Sequence, residues 1–589
     1  MTMSIFDVLS LLCGLSLFLY DMEVMGDALK KSAGSSLKTI LGKMTSNPVK
    51  GFLLGLGVTA VIQSSSATTV MVVGFVNSGT MTLLQAVGVI MGANVGTAVT
   101  SWLTGLSGLG SGGAAALSII KWLKPDSWMP ILAVIGICLI MFVKRGRKKD
   151  IGAILLGFAI LMVGMSMMSD SVAGLAKDEG FRNILIMFEN PILGILAGTI
   201  LTAIVQSSSA SVGILQSLTV TGAITYGAAI PIVMGQNIGT CVTALISSIS
   251  ATRNGKRAAL VHLFFNIIGV IVVLSLFYLI DSFVNFAFVE ETIGMWGVAG
   301  VHTIFKIISV ALLGPFYKQL AKLATLALPD RKEDVETVNL LDERLITTPS
   351  VAVARASEVT AMMAEDATGG LIKSFGLFEN YDAKLAEDIR DLEGKVDTYE
   401  DALGSYLVKI AATDMIEKDS RQLTMLMHMI SDLERISDHS VNVVEAVEEL
   451  REKKIFFSEE AMQEVHILQA AITDILNMTK TACAENNIEL ANKVEPLEQA
   501  IDDLIDRIKL NHIMRLQQGD CTIELGFVLN DLLTSYERVS DHCSNIAGCI
   551  IEVSQFGALD MHKYLAGIKH DSENFSQKYS EYSHKYHIE

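Results

Sequence analysis

The stretch Gln63-Ser64-Ser65-Ser66-Ala67-Thr68-Thr69 places six amide or hydroxyl side chains inside apolar sequence, and Gln206-Ser207-Ser208-Ser209-Ala210-Ser211-Val212 repeats the pattern. In a bilayer, a polar group without a hydrogen-bond partner costs several kcal/mol. A cluster of such groups therefore indicates a cavity, a ligand or a packed protein interface. Serine and threonine also join neighbouring membrane helices, so a single stretch of this kind would more often be structural.

An internal duplication contains both stretches. Gln63 and Gln206 are 143 residues apart, and the sequence Gly-Ala-Asn-Val-Gly-Thr at 92–97 recurs as Gly-Gln-Asn-Ile-Gly-Thr at 235–240 with the same offset. The same offset joins further pairs: Asn47-Pro48 with Asn190-Pro191, and Gly14 with Gly157. A polar cluster that is kept in both halves of a duplication favours a binding site over helix packing.

The chain has two regions of opposite charge. Of its 589 residues, 51% are hydrophobic and 18% are charged, which is typical of membrane proteins. Residues 1–328 carry a net charge of +7, whereas residues 329–589 carry −25. Residues 51–120 and 190–252 contain no charged side chain. We therefore predict a membrane domain at 1–328, a linker at 329–349, a soluble helical domain at 350–557 and a tail at 558–589.

The positions of Lys and Arg predict a multi-pass topology with the N-terminus outside. Lys30, Lys31, Lys38, Lys43 and Lys50 follow the first apolar segment, and Lys144 to Lys149 form a basic run, so both regions are expected in the cytoplasm. Proline, glycine and serine predict re-entrant hairpins at 48–77 and 191–220. Membrane spans are expected near residues 5–24, 80–103, 128–143, 151–168, 224–247, 258–280 and 295–317.

Repeat one is predicted at about 5–105 and repeat two at about 151–248, followed by extra helices at 258–317. Because the basic markers place the two repeats in opposite orientations, they are expected to be inverted. Inverted repeats typically bind substrate near the bilayer midplane, between broken helices. The fold class is therefore an all-α polytopic membrane protein with a soluble helical domain.

The polar clusters suit an oxyanion. Hydroxyls, amides and the free N–H groups at helix N-termini bind phosphate or sulfate, but neither cluster contains Lys or Arg. A cation that travels with the anion would supply the missing charge. We favour sodium, because oxygen ligands suit alkali cations and neither cluster titrates. His262, His302 and Lys306 lie in later helices, where a lone polar residue is at least as often a packing group.

At these residues the chain resembles the type II sodium-dependent phosphate cotransporters. The resemblance covers about residues 5–320 and implies that two opposed hairpin tips line the phosphate site. The implied phosphate-binding residues are Gln63, Ser64, Ser65, Ser66, Gln206, Ser207, Ser208 and Ser209. The implied sodium-binding residues are Thr68, Asn94, Thr97, Asn237 and Thr240. Because Thr68-Thr69 in repeat one corresponds to Ser211-Val212 in repeat two, the hairpins are not expected to contribute equally.

A second duplication occupies the acidic region. Glu393-x3-Asp397 recurs as Glu498-x3-Asp502, and Glu434-Arg-Ile-Ser-Asp438-His recurs as Glu537-Arg-Val-Ser-Asp541-His. Residues four apart lie on one helix face, where carboxylates repel each other unless something positive offsets them. A solvated acidic face is one interpretation of this pattern. The other is a divalent or ferric metal held by oxygen ligands of facing helices.

This region resembles the PhoU family, whose members are tandem three-helix bundles that bind metal and regulate phosphate uptake. The positions that match the metal motifs are Glu393, Asp397, Glu434, Asp438, Glu498, Asp502, Glu537 and Asp541. The resemblance implies a cytoplasmic domain with a signalling partner.

Together these features predict sodium-coupled transport of inorganic phosphate across the inner membrane, with a regulatory cytoplasmic domain. Phosphate export and transport of another oxyanion are alternatives within the same class. A membrane-anchored regulator that does not transport is an alternative from a different class. No catalytic motif is present, so an enzyme is not expected, nor is a nucleic-acid partner. The seven cysteines form no CxxC pair, which argues against a disulfide framework or a zinc site.

Overall fold

The computed structural model describes residues 4–43, 47–108, 125–143, 147–329, 340–555 and 572–588. These residues are helical nearly throughout, and their strand-type pairing is an isolated bridge between Thr225 and Thr292. The all-α prediction is therefore confirmed. The chain divides into two compact units, Met1–Val351 and Ala352–Glu589.

The first unit contains the apolar part of the chain. Its helices within the described ranges are α1 (Ile5–Lys43), α2 (Pro48–Ile62), α3 (Ser65–Asn77), α4 (Leu83–Gly105), α5 (Pro125–Phe142), α6 (Arg147–Ala173), α7 (Glu179–Met187), α8 (Pro191–Val205), α9 (Ser208–Leu218), α10 (Tyr226–Gly239), α11 (Cys241–Ser247), α12 (Arg253–Val284), α13 (Met295–Leu313) and α14 (Tyr317–Ala327).

Six segments in the described ranges are long and apolar enough to cross a bilayer: Ile5–Lys31, Leu83–Gly105, Lys148–Ala173, Tyr226–Ser247, Arg253–Val284 and Met295–Ala327. The prediction of a polytopic membrane protein is confirmed. The seventh predicted span, 128–143, is a shorter apolar helix within α5. Helices α7 and α8 form a broken pair that bends by 101°.

The predicted first cytoplasmic loop is largely helical. Lys30, Lys31, Lys38 and Lys43 were expected in a loop, but α1 continues through all four of them. Alanine, leucine and lysine are good helix formers, and no proline interrupts the chain before Pro48. The basic run at 144–149 lies partly outside the described residues, and α6 begins at Arg147 within it.

The equivalent helices of the two repeats, α1 and α6, pack in opposite directions. A Cβ atom on Gly14 would lie 2.8 Å from the carbonyl oxygen of Gly164, whereas the Asp21 carboxylate, further along α1, lies against Gly157. As residue numbers increase along α1, the residues of α6 that they contact have decreasing numbers. This antiparallel packing is the geometry that inverted repeats require.

Glycines bring the hairpins close to the helices that follow them. A Cβ atom on Gly55 of α2 would lie 2.0 Å from the carbonyl oxygen of Val89 in α4. A Cβ atom on Gly198 of α8 would lie 2.1 Å from the carbonyl oxygen of Ile232 in α10. Both residues of the second contact lie 143 positions after those of the first, which is the offset of the duplication. Both repeats therefore pack backbone against backbone, as membrane helices with small residues do.

We expect Gly55→Ala to destabilise the protein by about 3 kcal/mol or more, because the new methyl group would overlap a backbone carbonyl. The matched control is Gly57→Ala on the same helix, where no neighbouring atom lies within 4 Å of the place that an added methyl group would take. This control should gain about 0.8 kcal/mol from helix propensity. Thermal unfolding of both purified variants measures the difference, and equal melting temperatures would contradict the packing described above.

The second unit begins within α15. Its helices in the described ranges are α15 (Pro349–Glu379), α16 (Ala383–Ala411), α17 (Glu417–Lys453), α18 (Glu459–Glu485), the short α19 (Ile488–Ala491), α20 (Val494–Gln518), α21 (Ile523–Gln555) and α22 (Ser572–Lys585). The long helices form two successive groups of three, α15–α17 and α18, α20 and α21. In the predicted tail, α22 packs on the second group, where the Tyr579 hydroxyl donates to Asp503.

The described part of the predicted linker packs on α3. Asp342, which is 2% exposed, accepts a hydrogen bond of 2.6 Å from Asn77 Nδ2 at the C-terminus of α3. Asn77 Oδ1 accepts from the backbone N–H of Thr252, also at 2.6 Å. Leu345 is fully buried and its side chain contacts Gly74. Residues 340–348 therefore belong to the first unit and are not a free linker.

Candidate functional site

Each predicted hairpin is two helices joined at a left-handed glutamine. Gln63 ends α2 with φ 60° and ψ 19°, and Gln206 ends α8 with φ 57° and ψ 18°. The next residue caps the following helix: Ser64 Oγ accepts from the Ala67 N–H, and Ser207 Oγ accepts from the Ala210 N–H. A residue other than glycine rarely adopts a positive φ, so this shared turn is a specific feature of both repeats.

A hydroxyl pair crosses each hairpin. Thr59 Oγ1 donates to Thr68 Oγ1 at 3.0 Å in repeat one, and Thr202 Oγ1 donates to Ser211 Oγ at 2.8 Å in repeat two. These residues are equivalent under the offset of 143. The bonds hold the two arms of each hairpin together, so Thr68 has a structural role in addition to its predicted role in sodium binding.

The predicted phosphate-binding serines divide into two kinds. Ser64 and Ser207 are helix caps, as described above. The side chains of the next two serines in each repeat form no hydrogen bond to another described residue: Ser65, Ser66, Ser208 and Ser209. Ser65, Ser208 and Ser209 are buried, and Ser66 is half-buried. Hydroxyls that are enclosed yet lack protein partners are suited to a ligand.

The two glutamines differ in their environment. Gln63 is buried, its Oε1 accepts from Thr100 Oγ1 at 2.7 Å, and its Nε2 donates to the Ala60 carbonyl. Gln206 is exposed, and its side chain forms no hydrogen bond to a described residue. The same backbone turn therefore carries a fixed side chain in repeat one and an unfixed one in repeat two.

The predicted sodium-binding residues of the Gly-x-Asn motifs bond back to their own helices. Asn94 Nδ2 donates to the Ile90 carbonyl, and Asn237 Nδ2 donates to the Val233 carbonyl. The hydroxyls of Thr97 and Thr240 donate to the carbonyls four residues earlier. All four residues are buried. Their donors are used, while the amide and hydroxyl oxygens keep lone pairs that a cation can take.

Gln216 links hairpin two to repeat one, and the sequence did not predict it as a site residue. Its Oε1 accepts from Thr104 Oγ1 at 2.6 Å, and its Nε2 donates to the carbonyls of Ser101 and Met295. The side chain is fully buried. Gln216 has no polar counterpart in repeat one, where Val73 stands at the equivalent position, so the internal duplication gave no signal for it.

Lys306 reaches the Gly-x-Asn motif of repeat one. Its Nζ, on α13, donates to the backbone carbonyl of Asn94 at 2.6 Å, and the residue is 3% exposed. On the same helix His302 Nδ1 lies 2.8 Å from Ser101 Oγ of α4. Lys306, which the sequence suggested could be a packing group, is therefore buried against a predicted cation site.

The acidic motifs of the second unit meet in pairs of helices. Carboxylates of α16 and α17 approach each other: burial, with the nearby charges of Asp438 and Asp397, raises the pKa of Glu393. On α20 and α21, burial together with Asp541 and Glu537 raises the pKa of Asp502 to about 6. The predicted face-to-face arrangement of these motifs is therefore present.

This arrangement does not support the predicted metal sites. In the described ranges, no group of three or more His, Cys, Asp and Glu side chains is placed to hold one metal ion. The Lys509 ammonium lies 3.3 Å from Glu537, so part of the repulsion is offset by a lysine. His542 binds Asp432 at 2.8 Å and faces His439, with ring centroids 6.2 Å apart. Metal binding stays a prediction.

Comparisons with known proteins agree with the two duplications. A family model described as Na+/Pi-cotransporter matches residues 17–170 and 160–296, and the PhoU domain model matches residues 360–447 and 465–550. Residues 17–296 belong to the Na+/Pi-cotransporter family, and the chain also carries a PhoU domain. The cotransporter match includes both hairpins and both Gly-x-Asn motifs. The PhoU match includes all eight carboxylates of the acidic motifs.

Relatives of this chain cover different parts of it. YjbB of Escherichia coli K12, which is named for inorganic phosphate export, is 23% identical over 560 residues, or 92% of this chain and 97% of YjbB. YqeW of Bacillus subtilis is 29% identical over 53% of this chain and 95% of its own length. The human sodium-dependent phosphate transport protein 2B is 39% identical over 26% of this chain and 22% of its own length. No solved structure matches the chain.

We expect Gln63→Ala to destabilise the protein by about 1–3 kcal/mol relative to Gln206→Ala, because the Thr100 hydroxyl would lose a buried partner. Both positions have left-handed backbones, so the strain of alanine is the same in the two variants and cancels in the comparison. Thermal unfolding of the two purified variants measures the difference. Equal melting temperatures would show that the Gln63 bond to Thr100 contributes nothing.

In the PhoU domain, we expect Asp502→Asn to stabilise α20 at pH 7. The pKa of this carboxyl is raised to about 6, against about 4 in an unfolded chain, so the stability it contributes is full below about pH 4 and is lost as the pH rises through about 6. Hydrogen exchange of α20 in the full-length protein should slow in the variant at pH 7 but not at pH 4. Asp391→Asn, at an exposed position on α16, is the control.

Proposed function

We propose that this cotransporter moves inorganic phosphate together with sodium across the inner membrane, by alternating access around the two hairpin tips. The observation that carries the proposal is the matched pair of tips. Each tip ends one helix at a left-handed glutamine and starts the next with two serines whose hydroxyls have no partner among the described residues. Two such tips, in antiparallel repeats, are the parts that a rocking transporter needs.

The first turns of α3 and α9 supply the anion-binding groups. The N–H groups of the first helical residues, Ser65 and Ser66 on α3 and Ser208 and Ser209 on α9, have no acceptor within their own helices. Helix N-termini favour negative charge, and the adjacent serine hydroxyls can donate to phosphate oxygens. Gln206 is the amide that is best placed to adjust, because its side chain is not fixed by a described neighbour.

Sodium supplies the countercharge in this proposal. Neither tip contains Lys or Arg, and phosphate brought into a bilayer needs compensation. We assign sodium binding to side-chain oxygens whose donors already bond within the protein: Thr68, Asn94, Thr97, Asn237 and Thr240. The human relative named for sodium-dependent phosphate transport supports sodium as the coupled cation. The name of YjbB, which covers 92% of this chain, favours export as the alternative direction.

The PhoU domain would act as a cytoplasmic sensor or brake, with a signalling partner. Burial raises the carboxyl pKa values of five motif residues, so their charge responds to pH or to a bound cation: Glu393, Glu434, Asp438, Asp502 and Asp541. A divalent or ferric metal remains a candidate ligand, and calorimetric titration of the full-length protein with Mg2+, Mn2+ or Fe3+ tests it. No step of transport depends on this metal.

We expect labelled phosphate to enter proteoliposomes under an inward sodium gradient and to stay near background without one. Ser65→Ala and Ser208→Ala should each lower the initial rate at least tenfold while the protein remains folded, because each removes a hydroxyl that has no other partner. Ser16→Ala is the matched control, since Ser16 lies in a membrane helix but donates to its own backbone at Leu12.

Four outcomes would contradict the proposal. Phosphate uptake that does not depend on sodium would contradict sodium coupling. Phosphate efflux without uptake, whichever way the protein is inserted in the vesicles, would establish export. Folded wild-type protein that moves no phosphate in either direction would favour a membrane-anchored regulator. Unchanged rates in both serine variants would show that phosphate binds elsewhere.

A further inference from the structure

A cavity of about 410 Å³ lies between three membrane helices, α10, α12 and α13. Buried side chains of all three helices form its floor, among them Met234, Val273 and Phe305. Its rim is exposed, with Leu276 of α12 at 41% and Ile304 of α13 at 59%. Because these helices belong to membrane spans, hydrocarbon is the medium that meets the rim. The volume is within the range of small-molecule sites.

Glycines of α13 leave room for this cavity. A Cβ atom on Gly300, which lines the cavity, would have no neighbouring atom within 4 Å. A Cβ atom on Gly297, one turn earlier, would lie 2.8 Å from the Tyr226 hydroxyl oxygen. A larger side chain at position 300 would therefore enter open space, whereas one at position 297 would meet the ring of Tyr226.

Aromatic rings close the end of the cavity that lies at the connection between α12 and α13. Phe277 and Phe286 stack with ring centroids 6.0 Å apart, and Phe288 meets Tyr226 edge to face at 5.5 Å. All four rings line the cavity, and Tyr226 carries the one polar side-chain group of its described lining. Apolar cavities exclude water, so this lining suits a hydrocarbon chain.

Carboxylates surround the aromatic end. Residues 277–297 contain no Lys or Arg and three acidic residues: Asp281, Glu290 and Glu291. Asp281 Oδ1 accepts from the Phe286 N–H at 2.8 Å, and the Glu291 carbonyl accepts from the Tyr226 N–H at 3.0 Å, so both residues adjoin the cavity. Glu290 and Glu291 are exposed. This charge attracts an amine and repels an anionic lipid headgroup.

We propose that the cavity binds an acyl chain of phosphatidylethanolamine, whose amine lies at Glu290 and Glu291. The chain leaves one hydrocarbon medium for another, so the hydrophobic effect does not select the site. Selection comes from van der Waals contact with the cavity wall and from attraction between the amine and the carboxylates. The bound chain packs against Met234, which directly precedes the Gly-x-Asn motif of repeat two. This lipid site goes beyond the proposed transport and does not depend on which ions are moved.

The test is native mass spectrometry of the purified full-length protein, titrated in detergent with phosphatidylethanolamine or phosphatidylglycerol that carry the same acyl chains. We expect the wild type to bind one phosphatidylethanolamine about tenfold or more tighter than phosphatidylglycerol. Gly300→Phe places a ring in the cavity and should weaken this binding by about tenfold or more. Ile271→Phe adds a ring at an exposed position of α12 outside the cavity lining, and this matched control should bind lipid as the wild type does.

A second variant changes the charge and leaves the cavity as it is. Glu290→Gln combined with Glu291→Gln should remove most of the preference for phosphatidylethanolamine over phosphatidylglycerol. A higher concentration of ammonium acetate should lower the wild-type preference in the same direction, because salt screens exposed charges. If thermal unfolding shows that Gly300→Phe does not fold, the charge variant decides the case.

Three results would overturn the inference. Equal affinity of the wild type for the two lipids would remove the role of the carboxylates. Unchanged lipid binding in folded Gly300→Phe would show that the acyl chain binds elsewhere. A wild-type dimer that Gly300→Phe converts to a monomer, with lipid binding unchanged, would show that the cavity receives a second copy of this chain and not a lipid.

Discussion

Helix interruption inside a bilayer is the constraint on which this structure depends. Where α2 and α8 end, backbone N–H and carbonyl groups lose their helical partners in a medium that offers no water. Both repeats satisfy these groups in the same way, with a left-handed glutamine, a serine cap and a hydroxyl pair across the arms. The paired serine hydroxyls at the start of α3 and α9 are not used for this purpose, so they are available to bind a ligand.

The two repeats share a backbone conformation at the hairpin tips, but they differ in nearby charge and in how the glutamine side chain is held. Gln63 is fixed by Thr100, whereas Gln206 is exposed, and the Lys306 ammonium donates to the Asn94 carbonyl of repeat one. A duplicated site thus becomes asymmetric through residues that lie on α4 and α13, outside the hairpins themselves.

Local pattern predicted the hairpins, the duplication and the facing carboxylates, because each is encoded by nearby residues or by a fixed offset. It did not predict that α1 continues to Lys43, since charge alone does not end a helix with good propensity. Gln216 and Lys306 were also beyond prediction as site residues. Each acts through a partner more than 70 residues away in sequence, and neither has an equivalent in the other repeat.

The contact between Asp342 and Asn77 joins two functions in one piece of chain. Asn77 ends α3, the helix that begins at the binding tip, and residues 340–348 lead directly into α15 of the PhoU domain. A shift of α3 would pull on this segment, and tension applied through α15 would resist the shift. Movement of α3 is therefore coupled, through the Asn77–Asp342 hydrogen bond, to the segment that leads into α15.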